Sequence, residues 1–554
     1  VMELNNYQKQ VMRDLSAYLD CVNRGTNLFS AWREYWFSKD VAVGLGGVPS
    51  YNNSIERAPH VCMKVPTGGG KTFMACASVR RIFDALPTGK PQVVVWLVPS
   101  DSILTQTIRT LSDVDHPYRQ RLDQDFAGRV GVYTKEMLLN GQNFSPDTVR
   151  EMLTVCIMSY SSLRINSRNR DVRKVYQENG NLYRFAEYFK DKDVLLADTP
   201  DTALIQVLRH LEPVVIVDES HNAGSDLSTE MLNNLNPSFI LDLTATPRKN
   251  SNIISYVDAR ELKKEHMVKL PVVVYNRTTR QSVIQDAIQL RGSIERDAIA
   301  AEAAGGRYIR PIVLFQAQPR TGDNRDTFDK IKEMLIGMGI PEDQIAVKTS
   351  NVDDLKVQDL MSRDCKVRYI ITVNALKEGW DCPFAYILAS LANRTSAVDV
   401  EQILGRILRQ PYAMQHKLLL LNTSYVLTNS VDFHTTLEKI VAGLNKAGFS
   451  RRDYRIGEAV ETSHTPAKQE TVQTEIPLDA QAAEDDSFDD VNVQEVKTAL
   501  EGTPPAASAV SAMVQEAAQQ AADYTAAINE PDDGFMGGEL GDMLTQNAMQ
   551  PHLA

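Results

Sequence analysis

Lys71 and Thr72 close the run Val65-Pro66-Thr67-Gly68-Gly69-Gly70-Lys71-Thr72. Three consecutive glycines carry no Cβ, so their N–H groups can crowd around anionic oxygens. An ammonium and a hydroxyl directly after them suit the terminal phosphates of a nucleoside triphosphate such as ATP and the Mg²⁺ that accompanies it. The apolar stretch Val61-Cys62-Met63 precedes the run and Phe73-Met74-Ala75-Cys76-Ala77 follows it. A strand, a glycine turn and a helix start are expected, with the helix dipole adding its positive end to the site. Val65 stands where the usual pattern has Gly or Ala, so the run alone also reads as a glycine-rich turn with a chance Lys-Thr beside it.

Other residues complement that anion site. Asp218-Glu219-Ser220-His221 follows the apolar run Val214-Val215-Ile216-Val217. Ligands of open α/β sheets gather at the carboxyl ends of strands. Asp218 there can hold Mg²⁺, and Glu219 can orient and deprotonate an attacking water. Without Lys71-Thr72 upstream, the same residues read as a solvated acidic turn. Thr244-Ala245-Thr246 ends the next apolar run and offers hydroxyls that can couple the site to a moving neighbour domain.

Further on, Gly379 allows close backbone approach to phosphate, and Asp381 can accept a ribose hydroxyl. In Gln402-Ile403-Leu404-Gly405-Arg406-Ile407-Leu408-Arg409, a helix would put Arg406 and Arg409 on one face. Two guanidinium groups there suit a phosphate arriving across a cleft; in water they are simply a basic helix face. Ser100, after Val93–Val98, can present its hydroxyl to a nucleic-acid backbone or cap a helix. Tyr7 and Gln8 can stack on and hydrogen-bond an adenine.

These residues need strands to carry them. Apolar runs at 61–63, 93–98, 155–158, 214–217 and 239–243 alternate with helix-compatible segments, the pattern of a parallel doubly wound sheet. A second series occupies 311–315, 345–347, 369–373, 386–389 and 418–421. The fold class expected is α/β, two parallel-sheet domains in tandem. The first spans 1–250 with insertions near 22–58 and 165–210, and a connector occupies 251–305. The second spans 306–430, a helical extension 431–460, and an acidic, largely disordered tail 461–554, in which short helices such as 506–522 are expected to form on binding.

The 554 residues exceed one hydrophobic core. Net charge is −12, yet residues 461–554 hold 18 acidic and two basic side chains, leaving 57 basic against 53 acidic elsewhere. The acidity belongs to the tail, and the body is mildly basic. Six scattered cysteines without a CxxC pair suit a reducing cytoplasm. No apolar stretch approaches the length of a membrane span, so no membrane partner is expected.

In this order the blocks resemble superfamily-2 helicases and translocases with two RecA-like domains, over roughly residues 1–450. Gln8 falls at the adenine-reading motif, Thr67 through Thr72 at the phosphate loop, Ser100 at the first nucleic-acid motif, and Asp218 through His221 at a DEAH-like motif. Thr244 and Thr246, then Gly379 and Asp381, then Gln402, Arg406 and Arg409 fall at the later motifs. Within that superfamily the chain is most similar to the motor part of the restriction subunit of type III restriction enzymes. That narrower resemblance rests on Pro66–Thr72, Leu376–Asp381, Gln402–Arg409 and Leu421–Val426.

The resemblance implies ATP bound between two domains, work on duplex DNA, and a methyltransferase-type specificity partner. It also implies a C-terminal nuclease. The one candidate here, Asp479 with Glu495 and Lys497, lies in acidic sequence, so endonuclease activity is not expected of this chain; it reads either as a fragment of a longer protein or as a motor that works without its own nuclease. An RNA helicase and a non-motor ATP switch fit the same residues.

Overall fold

Seven parallel strands form the first sheet of the computed structural model, in the order β3-β4-β2-β5-β6-β1-β7. They are β1 (His60–Lys64), β2 (Val93–Val98), β3 (Val130–Thr134), β4 (Leu153–Ser159), β5 (Val214–Asp218), β6 (Phe239–Thr244) and β7 (Ile253–Tyr256). The structure describes residues 2–55, 57–164, 174–188, 194–218, 229–317, 327–349, 352–356, 358–373, 382–391, 404–405, 407–430, 433–458, 491–501 and 509–529. The chain divides into two units, the first ending at Glu261 and the second beginning at Leu262.

Every residue of β2, β4, β5 and β6 is buried, which explains their unbroken apolar runs. Four helices frame the site: α1 (Asn6–Arg24), α2 (Leu28–Phe37), α3 (Lys71–Ala85) and α4 (Asp101–Ser112). Val11, Leu15, Tyr18 and Leu19 of α1 are buried at helical spacing on one face. The segment expected as a looped insertion contains α2, whose Trp32, Tyr35 and Trp36 are buried. Tyr18 meets Tyr35 edge to face at 5.6 Å, and the Tyr35 hydroxyl donates to the Ile254 carbonyl. Aromatic anchors thus turn what composition suggests is loop into packed structure; each fully buried ring contributes roughly 1.5–3 kcal/mol.

The second sheet is also parallel and seven-stranded, in the order β10-β11-β9-β12-β13-β8-β14. Its strands are β8 (Val272–Asn276), β9 (Ile312–Gln316), β10 (Ile345–Lys348), β11 (Tyr369–Thr372), β12 (Ala385–Ser390), β13 (Ser424–Thr428) and β14 (Tyr454–Ile456). Helix Arg280–Ala303 is anchored at its start by an ion pair between Arg277 and Asp286 at 2.6 Å, both nearly inaccessible. Removing one partner would strand a buried charge, at about 3–5 kcal/mol.

Three expectations are corrected here. Residues 251–305 are more than a connector: they supply β7 to the first sheet and, from the apolar run at 272–275 that already reads as a strand, β8 to the second. The four-leucine run is not a strand. Leu419–Asn422 is a 3₁₀ turn, and β13 begins at Ser424; a short apolar run fits either state until neighbours decide. Here the Asn422 side chain donates to the His416 and Leu418 carbonyls and accepts from Gln410 and the His416 N–H, which holds the turn. Lastly, two stretches of the acidic tail are helices packed within the chain itself, Val493–Glu501 and Ala509–Ile528, the second overlapping the 506–522 helix expected to form only on binding. Met513, Ala517, Ala521, Tyr524 and Ile528 of the second are buried on one face.

Among the described residues, no helix is long and apolar enough to cross a membrane.

Candidate nucleotide site

Parallel register brings the first site together. Strand β6 lies between β5 and β1, with Asp218 level with Leu243 and Lys64 level with Thr244. The loop after β1, the last residue of β5 and the last residue of β6 therefore leave the sheet at one edge.

The glycine loop is held at both ends. Val65 N–H donates to the Thr244 carbonyl at 2.9 Å, joining the loop to the end of β6. Gly69 N–H donates to the Pro66 carbonyl at 3.0 Å and closes the turn. Gly70 is left-handed, φ 78°, and caps α3, which begins at Lys71. A Cβ on Gly70 would lie 2.6 Å from Gln8 Nε2. Lys71 is mostly buried, while Thr67, Gly68 and Thr72 are partly open.

Helix α1 grips this loop. Tyr7 Oη and Gln8 Nε2 both donate to the Gly69 carbonyl, at 2.8 and 3.2 Å. Gln8 Oε1 accepts from the Asn5 N–H at 3.0 Å. In a planar trans peptide the C=O and the next N–H point opposite ways. With the Gly69 carbonyl fixed toward α1, the Gly70 N–H points away from it.

Asp218 is 5% exposed, and the buried Tyr160 donates its hydroxyl to the Asp218 carbonyl. Burial, chiefly, and the nearby Asp218 carboxylate push the Cys76 thiol of α3 upward, which places that charge close to the helix the loop opens. Thr244 Oγ1 accepts from the Thr246 N–H at 3.1 Å. Ser100 caps α4, accepting from Ile103 N–H at 3.5 Å.

The structure thus gathers Gln8, Thr67, Gly68, Gly69, Gly70, Lys71, Thr72, Asp218, Thr244 and Thr246 in the first unit. Glu219, His221, Gly379, Asp381, Gln402 and Arg406 lie outside the described residues. Arg409 itself is not helical: its backbone bridges Val268 antiparallel, and it is exposed. Of the nuclease candidates, Asp479 lies outside the described residues. Glu495 and Lys497 sit on helix Val493–Glu501, where Lys497 faces Glu501 at 3.9 Å.

Sequence reading missed Tyr160, for which no local signal exists. It also passed over His60 Nε2, 2.9 Å from Asp242 Oδ2. A carboxylate inside the apolar Phe239–Thr244 strand was the available signal. Beyond Thr246, residues 247–253 and α2 wall a cavity of about 500 Å³ that includes Trp32, Trp36 and Arg248.

A glycine cradle on a Lys-Thr helix start, beside a strand-end aspartate in a parallel sheet, defines a P-loop nucleotide-binding domain. Residues 1–249 match the family model described as the type III restriction enzyme, res subunit. No curated protein matches the chain. Solved structures similar to it include the ATP-dependent type ISP restriction-modification enzyme LlaBIII bound to DNA, at 14% identity and TM-score 0.45, over 83% of this chain and 32% of that one. A fragment of a putative type I HsdR subunit from Vibrio vulnificus YJ016 aligns at 13% identity and TM-score 0.38, over 81% of this chain and 73% of that one. Mss116p bound to single-stranded RNA and AMP-PNP aligns at 12% identity and TM-score 0.39, over 73% and 72%. The chain spans about a third of LlaBIII.

Proposed function

We propose that the chain is an ATP-hydrolysing motor that moves on or remodels duplex DNA in a restriction-type defence system, in a reducing cytoplasm. One observation carries this reading: the Gly68–Lys71 cradle, Thr72 and Asp218 share one edge of the first sheet. A lysine ammonium, a run of glycine N–H groups and a helix start are an anion site for the β- and γ-phosphates. Thr72 and Asp218 supply a hydroxyl and a carboxylate to a magnesium ion. A magnesium ion in such a site is held by one or two protein oxygens together with substrate phosphates. Such an ion would neutralise charge on the phosphates.

The chain's own residues then divide the work. Lys71 and the Gly70 N–H hold the phosphates. Glu219 takes a proton from the attacking water. Arg406 and Arg409 stabilise charge on the transferred phosphoryl group, an effect of roughly 10³–10⁵ in rate for an arginine finger. Gln402, Gly379 and Asp381 bind nucleotide. Gln8 holds the phosphate loop and reads adenine only if its bonds to Gly69 and Asn5 exchange. Ser100, His221, Thr244 and Thr246 couple hydrolysis to the nucleic acid. Recognition of a DNA sequence falls to a methyltransferase-type partner.

ATP turnover measured with duplex DNA, single-stranded DNA and RNA tests the reading. Stimulation by duplex DNA is expected; stimulation by RNA alone would make it an RNA helicase instead. Lys71→Ala and Glu219→Gln should each abolish turnover, with Glu219→Gln still binding ATP. Unimpaired hydrolysis by Glu219→Gln would remove it from its role.

A further inference from the structure

We propose a second catalytic centre in the first unit, an ester-hydrolysing site built from Ser54, His60 and Asp242. Ser54 Oγ lies 3.4 Å from His60 Nδ1, and His60 Nε2 lies 2.9 Å from Asp242 Oδ2. An ionised carboxylate only accepts hydrogen bonds. Nε2 therefore carries the imidazole proton, and Nδ1 is left to accept from the Ser54 hydroxyl. A hydroxyl, a basic ring nitrogen and an orienting carboxylate in one line activate a serine for attack on a carbonyl. The serine–histidine contact is long, as such contacts are before substrate tightens them.

The surrounding backbone fixes that line. His60 opens β1, and its N–H donates to Oη of the buried Tyr51 at 2.9 Å. Asn252 Nδ2 donates to the carbonyls of Asn52 and His60, at 2.8 and 2.9 Å. Asn252 Oδ1 accepts from the Asn52 N–H at 2.7 Å. The segment that bears Ser54 is thereby tied to the strand that bears His60. Asp242 is 9% exposed within the apolar strand β6, where a carboxylate is costly without a partner. A simple pin between β1 and β6 would need only the His60–Asp242 bond. Ser54 adds a nucleophile whose Oγ makes no other hydrogen bond among the described residues.

Ser54, His60 and Asp242 line one pocket of about 60 Å³. A single water needs roughly 10–15 Å³ of such space, so an acetyl-sized acyl group fits. Asn250 lines the same pocket, and its side chain makes no hydrogen bond among the described residues. Its amide offers an N–H to the carbonyl oxygen as charge develops there. Asn52, Arg248, Asn250, Ser251 and Asn252 also line the cavity of about 500 Å³ that includes Trp32 and Trp36. The two spaces therefore adjoin, the smaller sized for an acyl group and the larger for an aromatic alcohol. The substrate class is a small-acyl ester of such an alcohol. Ser54 Oγ bonds to the ester carbon as its proton passes to His60 Nδ1. The bond to the alcohol oxygen breaks, and that proton goes to the departing alkoxide. Water then attacks the acyl-serine, one proton returns through His60 to Ser54 Oγ, and the carboxylic acid leaves. Ester and water are consumed, acid and alcohol released, and nothing is oxidised. Asp242 touches no reacting atom; it is a positioning residue that fixes the ring tautomer.

An alkyl fluorophosphonate and p-nitrophenyl acetate are the probes, used on the full chain. The folded protein should take the phosphonyl group on Ser54 with loss of fluoride, read by peptide mass spectrometry. Protein unfolded in urea before labelling should not. Release of p-nitrophenol should saturate with ester, and kcat/KM should fall at least about 100-fold in Ser54→Ala. That position is partly exposed, and losing one hydroxyl there should leave the melting temperature nearly unchanged. His60→Gln should lose the label. Asp242→Asn should lower kcat with KM within about twofold, because the pocket keeps its shape while the tautomer is no longer fixed. No label on Ser54, or a Ser54→Ala rate equal to wild type, overturns the site. A lower melting temperature in Asp242→Asn with kcat unchanged overturns its positioning role and leaves the pair a pin between β1 and β6. Neither readout uses ATP, so failure of this proposal leaves the motor reading standing.

Discussion

At the scale of single residues, the phosphate loop depends on what holds the Gly69 carbonyl. Tyr7 and Gln8 both donate to it, and each such bond is worth about 1 kcal/mol net. Tyr7→Phe removes one and leaves the ring. We expect a severalfold rise in KM for ATP, with kcat within about twofold and a small loss of stability. Steady-state kinetics would read it, and an unchanged KM would show that the loop keeps its shape without Tyr7. Gly70→Ala is harsher. It forces a side chain into left-handed backbone, at roughly 1–2 kcal/mol, and pushes on Gln8. Nucleotide binding should fall sharply while the circular dichroism spectrum stays put. Lys263 gives a pH signature. Its folded value, about 7, lies below the ordinary 10.5. Between those values the unfolded chain binds more protons, so this residue makes stability rise with pH. Below about pH 7 its cost is fully present. Lys263→Met should therefore lose its relative stability, against wild type, as pH rises from 7 toward 10. Denaturant titrations at several pH values would detect the trend, and a pH-independent difference would refute it.

At the scale of elements, helix Ala509–Ile528 is held to the second unit by more than its buried face. Tyr275 Oη donates to the Met513 carbonyl at 3.1 Å, and Tyr524 Oη to Asp453 Oδ1 at 2.7 Å. Ala517→Asp would place a carboxylate at a fully buried position. A loss of at least ~2 kcal/mol is expected, with faster amide exchange in β14, whose neighbours the helix covers. Unchanged exchange there would mean the helix does not support the sheet. This helix also shows why the sequence was only partly legible. Its residues are mostly Ala, Gln and Glu, and composition alone reads as disorder. The repeat Met513, Ala517, Ala521, Tyr524, Ile528 carries the signal, but alanines bury little area and weigh little in any hydropathy reading. The central strands were legible for the opposite reason: Val93–Val98 and Val214–Val217 are wholly apolar because both faces are covered. Edge strands such as β3 and β14 lack that mark. The glycine loop was readable because phosphate chemistry fixes its residue types locally. Tyr160 and the Arg409–Val268 bridge depend on contacts between segments far apart in sequence, and no local pattern encodes those.

At the scale of the whole molecule, charge is unevenly spread: about the neutral point for residues 1–460, at +4, and −16 for residues 461–554. The motor on duplex DNA proposed above must attract a polyanion, and its affinity would fall as salt rises because counterions are released on binding. The acidic segment opposes that attraction. Part of it belongs to the folded second unit through the helices Val493–Glu501 and Ala509–Ile528, so its field travels with the body. Glu484, Asp485, Asp486, Asp489 and Asp490 form its densest cluster. Converting these five to their amides removes five negative charges without changing size. Long-range repulsion acts before contact, so the effect belongs mainly to the association rate. Stopped-flow mixing with a labelled duplex should show faster association at low ionic strength. The gain should fade near physiological salt, where the screening length is about 8 Å. If the amide variant associates no faster at low salt, the acidic segment does not repel DNA from its binding face, and its charge serves some other contact.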